Sequence, residues 1–137
     1  MMPKSLWISN ILVGVVPLSN PIHEFSKYQW NNLYQYYTNF LDYIGVSLYD
    51  DVDWMNFADN YAHKLNFYEL TIGKLIELHL LVDPFYKECH MLSDFEVIRR
   101  PEWDAMIPIA KACVRLLEKE KEKGDGDIVL SDKLCDS

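Results

Sequence analysis

Between Trp30 and Ile44 the apolar residues Trp30, Leu33, Tyr34, Tyr37, Phe40, Leu41 and Ile44 recur at intervals of three and four. That spacing places them on one face of an α-helix and is incompatible with the two-residue period of a strand. Ser26 followed by Gln29 reads as a capping box, with Phe25 positioned to staple onto Trp30. Gly45 supplies the left-handed residue that closes a helix. Asn31, Asn32, Gln35, Asn39 and Asp42 fall on the opposite face, so the helix expected from Ser26 to Gly45 has one buried side and one wet side.

The same spacing continues along the chain. Asp50 or Asp51 is placed to cap a second helix through Trp54, Phe57, Ala58, Tyr61 and Leu65. Asn66 with Glu69 resembles a capping box and starts a third near Phe67, carrying Tyr68, Ile72, Leu75, Ile76 and His79 until Asp83-Pro84 ends it. A short helix near Phe85 to Met91 follows. Pro101 opens the last helix, whose stripe is Trp103, Met106, Ile107, Ala110, Val114 and Leu117; Pro108 should kink it or move its start to Ala105. Its end, Leu117 to Gly124, alternates Glu and Lys and reads as a solvated helical terminus. Residues 5 to 16 are rich in Ile, Val and Trp, carry Gly14 and stop at Pro17, which favours a buried β-strand.

The fold expected is therefore mainly α: a single-domain bundle of four or five helices over residues 1–124 with a short N-terminal β-strand. Residues 125–137 form a C-terminal tail that either pairs with that strand through 127–132 or is disordered. The chain of 137 residues has the length of one domain.

Charge narrows the function classes. A formal net charge of −8 and a pI near 4.8 oppose the counterion release that drives nucleic-acid binding. The same balance suits a basic protein partner. Cys89, Cys113 and Cys135 are odd in number and widely spaced, which writes neither a disulfide framework nor a zinc site. No segment reaches the ~20 apolar residues of a membrane span, so a cytoplasmic protein is expected. The scattered glycines form no phosphate-cradling loop, and no cofactor is called for. Leu70-Thr71-Ile72-Gly73-Lys74-Leu75 resembles the opening of helix-turn-helix regulators, but no basic recognition helix follows and no function is carried over from it.

Three groups of residues are candidates for chemistry. Asp59 and His63 lie four apart on the second helix, the spacing at which a carboxylate orients an imidazole as general base; the more ordinary reading is a surface pair. His63, His79 and His90 are the candidate metal ligands if the fold brings them together. Asp42, Tyr43, Tyr49, Asp50, Asp51, Asp53 and Trp54 form an acidic aromatic edge, with rings as anchors inside a charged rim. The leading function is a non-catalytic acidic module that binds, and can inhibit, a basic protein, as toxin-immunity and phage anti-defence proteins do. A homodimer is a second mode of association. A small metal-dependent or hydrolytic enzyme built on the His, Asp and Glu residues is the alternative from a different class.

Overall fold

A computed structural model describes residues 3–123. The chain opens with a helix, α1 (Lys4–Ser19), and no strand occurs among the described residues. The buried residues Lys4, Ile8, Ile11, Val15 and Leu18 step by four and three, a helical seam. It was hidden in the sequence because Leu6 and Val13 are apolar on the outer side as well, which flattens the period and leaves β-branched content as the stronger signal. Gly14 is there for closeness: a Cβ would stand 2.5 Å from Leu48 Cγ. The strand expected at 127–132 lies outside the described residues.

At Asn20 the chain turns through 111° into α2 (Pro21–Trp30), which has proline in its first turn. The long helix expected from Ser26 to Gly45 is broken. Asn32 adopts a left-handed conformation at φ 58°, one 3₁₀ turn covers Leu33–Gln35, and α3 (Phe40–Gly45) begins afresh. Ser26 sits inside α2 and donates to the Ile22 carbonyl, so it caps nothing. The true cap is Asn39, whose Oδ1 accepts from Asp42 N at 2.7 Å while Asp42 Oδ2 accepts from Thr38 N at 3.1 Å. Gly45 keeps right-handed angles and the helix runs on as a π-wound segment, Val46–Asp51. Asp50 and Asp51 therefore lie within a helix and do not start one.

Asp53, at φ 51°, precedes α4 (Trp54–Asn56), which also widens into a π-wound segment, Phe57–Tyr61. Then α5 (Glu69–Cys89) passes straight through Pro84 and absorbs the separate helix expected at 85–91. The carbonyl that Pro84 orphans belongs to Leu80, an exposed residue, so water can satisfy it. In the same way α7 (Glu102–Lys123) starts before Ala105 and contains Pro108, with Asp104 exposed one turn back. Between them α6 (Asp94–Ile98) is capped by a Ser93–Glu96 capping box.

The most extensive packing is α1 on α7, followed by α5 on α7, and one continuous core joins these to α3 and α4. The charged end of α7 is not wholly solvated: Glu120 is buried against α1 and α5. Its carboxylate takes Lys4 Nζ at 2.9 Å, Tyr68 N at 2.7 Å and Thr71 Oγ1 at 2.6 Å, so α7 caps α5 in place of the expected Asn66–Glu69 box. Among the described residues no single helix is long and apolar enough to cross a membrane.

Candidate functional site

Tyr86 on α5 lies flat against α3 because position 45 has no side chain; a Cβ on Gly45 would overlap its ring at Cε2. Four residues on, in the π-wound segment, Tyr49 places its ring 5.1 Å from that of Tyr86, and His90 stacks against Tyr86 at 4.9 Å. A π-wound turn holds one more residue than an α turn and so changes which side chains share a face. Here Gly45 and Tyr49 both meet Tyr86. The result is a row of half-buried rings across the seam between α3 and α5.

A carboxylate edges the row. The Tyr49 hydroxyl donates to Asp83 Oδ1 at 3.2 Å, and Lys87 Nζ holds Asp83 Oδ2 at 2.9 Å. The Lys87 contact first, and the Tyr49 hydroxyl after it, hold the Asp83 carboxyl below its ordinary range. Burial, then the Asp83 charge, push the Tyr49 hydroxyl well up. Burial, followed by the charges of Asp42 and Asp50, also raises Tyr86. Beneath them, Trp54 and His79 close the inner end, with ring centres 5.3 Å apart. Burial lowers the His79 pKa. Trp54 Nε1 and His79 Nδ1 are buried without a hydrogen-bond partner, although the indole N–H lies near enough to the Tyr49 hydroxyl to oppose its rise. Electron-rich ring faces with a carboxylate beside them are suited to a cation.

Of the acidic aromatic edge read from the sequence, Tyr49 lies on this face, and Asp50 and Asp51 belong to the same π-wound segment. Asp42 is held at the α3 cap. Tyr43 turns away toward α2, packing at 5.6 Å from Tyr28 and 5.2 Å from Tyr37. Asp53 is exposed at the start of α4. Trp54 is only 2% exposed, which corrects its expected part as an accessible anchor: it is a core residue under Tyr49.

Asp59 and His63 are both exposed, and His63 Nδ1 lies 3.3 Å from Glu69 Oε1. His63, His79 and His90 stand in three different settings: exposed, lodged beside Trp54, and stacked on Tyr86. Among the described residues no three His, Cys, Asp or Glu side chains are grouped to hold a metal ion. Cys89 and Cys113 are buried thiols whose pKa values are raised by desolvation, that of Cys113 to about 12.

Sequence reading missed Tyr86 and Asp83. Both fall in the stretch where Pro84 was taken to end a helix, and nothing local connects Tyr86 with Gly45. Compared with protein-family models, curated proteins and solved structures, the chain matches none.

Proposed function

We propose that the protein is a non-catalytic binding module that docks a basic protein on the Tyr49–Tyr86 face, acting as a neutralising or inhibitory partner of the toxin-immunity or phage anti-defence type. One observation carries the reading: the Tyr86 ring is seated on Gly45 and packs on Tyr49, whose hydroxyl donates to Asp83, giving a half-buried pair of rings with a carboxylate at its edge. Tyrosine buries large area at small rotamer cost and is enriched where binding energy concentrates. Lys87 on Asp83 is the protein's own example of an ammonium held at this rim. The net charge of −8 adds long-range attraction for a basic surface and speeds encounter.

The test is affinity capture from the native host, read by mass spectrometry, with wild type and Tyr86→Ala as paired baits. The reading expects a basic protein that elutes with rising salt and is depleted on the variant. Equal capture by both baits would place the binding surface elsewhere. Stoichiometric zinc, iron or manganese in the purified protein would instead favour a small metal-dependent enzyme using His63, His79 or His90.

A further inference from the structure

A second surface, independent of the acidic face, lies at the bend between α1 and α2. A groove of about 330 Å³ opens there, with Leu12, Val13 and Val16 of α1 on one wall and Leu33 and Tyr43 on the other. Beside it stands Trp30, 87% exposed at the end of α2, followed by exposed Tyr34 and Tyr36. Lys27 lines the groove and is the i, i+3 neighbour of Trp30 on α2, so indole and groove are adjacent on one side of the molecule. An exposed tryptophan one helical turn from Lys27 on a partly apolar groove is a knob near a hole. Val13, half-exposed on the groove wall, extends the apolar area.

The charge pattern selects the occupant. Residues 5–22 and 28–41 contain no Asp, Glu, Lys or Arg, in a chain whose net charge is −8. Between those stretches Glu24 and Lys27 neutralise each other at 3.2 Å on the groove rim. A basic partner gains nothing from such a face. Two copies at −8 each repel at long range, and this uncharged face is where their close approach is opposed least. An isologous two-fold interface requires one patch that carries both members of each contact. This patch carries both: Trp30 with the groove, and Lys27 with Glu24.

We propose that a second copy of the chain docks on this face, forming a two-fold dimer in which Trp30 of each protomer enters the α1–α2 groove of the other. Each indole then removes from water an area on the scale of 150–250 Å². Around the axis Lys27 of one copy faces Glu24 of its partner, so the rim pairs across the interface as well as within each chain.

The full-length chain tests this by sedimentation velocity across a concentration series, with circular dichroism to check folding. Wild type should dimerise, and Trp30→Ala and Val13→Glu should each weaken association at least tenfold, both changes being at exposed positions. Mixing the two variants should recover heterodimer beyond either alone, because the Trp30 of one can still enter the unblocked groove of the other. Three results would each overturn the proposal: a wild type that stays monomeric up to about 1 mM, dimers that persist undiminished in both variants, or a mixture with no recovery. A monomeric wild type that loses capture of a different protein on Trp30→Ala would assign the groove to that protein.

Discussion

Lys4 and Glu120, 116 positions apart, meet as a 2.9 Å ion pair at 1% and 0% exposure. The pair fastens the first turn of α1 to the last turns of α7, and the same carboxylate caps α5. Lys4→Met should cost up to about 3 kcal/mol, since the buried Glu120 carboxylate loses its nearer ammonium and keeps only Lys123 Nζ at 3.8 Å. The loss should be insensitive to salt, because screening acts weakly on buried pairs. Urea midpoints at low and high ionic strength check both statements, and a salt-dependent loss below about 1 kcal/mol would mean that the pair is solvated.

Two glycines make opposite predictions. Gly14 faces Leu48, which is fully buried and has nowhere to move, so Gly14→Ala should destabilise by about 1–3 kcal/mol through overpacking. Gly45 faces the far end of a half-buried Tyr86 side chain, which has more room to shift than Leu48. Gly45→Ala should therefore leave stability within about 1 kcal/mol, helped by helix propensity, yet unseat Tyr86 and weaken capture of the basic partner. Denaturation midpoints and capture yields on the two variants separate these effects.

The helical class was legible because three- and four-residue apolar spacing dominates the chain, and the stripe of α7 was read correctly through Trp103, Met106, Ala110 and Leu117. Three errors share a cause, which is that local pattern does not report the far side of a contact. Residues 5–16 looked like a strand because both sides of α1 are apolar. The Trp30 to Ile44 stripe looked like one helix because its spacing survives a break that the left-handed Asn32 makes, and Trp30 consequently ends in solvent. Pro84 looked like a stop, although proline is tolerated where the orphaned carbonyl faces water. Local acidity drew attention to Tyr49 and Asp50. It drew none to Tyr86, whose role depends on a glycine 41 positions away.

His79 should make stability fall on the acid side of neutrality. Burial holds its folded pKa below the ordinary 6.5; Lys87 lowers it further, while Asp83 and Asp59 oppose. Above 6.5 its contribution is complete. As pH drops through 6.5 the unfolded chain takes a proton that the folded chain refuses, and stability declines until His79 is protonated in the fold as well. One such proton contributes a slope of at most about 1.4 kcal/mol per pH unit. His79→Phe should flatten that part of the urea-stability profile between neutral and mildly acid pH and, by removing an unpaired buried nitrogen, cost little near neutrality. Identical profiles for variant and wild type would contradict it.

Charge substitutions at the rim should act in opposite directions on binding of the proposed basic partner. Asp50→Asn should slow association a few-fold at low salt, with the difference shrinking as salt rises. Lys87→Gln removes a competing ammonium from Asp83 and should speed association. Stopped-flow or surface-based association rates measure both, and a slower rate for Lys87→Gln would argue against a cation site at Asp83.

The most direct measurement is an amide and tyrosine-ring chemical-shift titration of the labelled full chain with a lysine-rich peptide at physiological salt. A cation site on the Tyr49–Tyr86 face predicts saturable shifts concentrated at residues 42–50 and 83–90, abolished in Tyr86→Ala. Shifts centred on the exposed acids Glu118 and Glu122 of α7, or shifts unchanged by Tyr86→Ala, would contradict it.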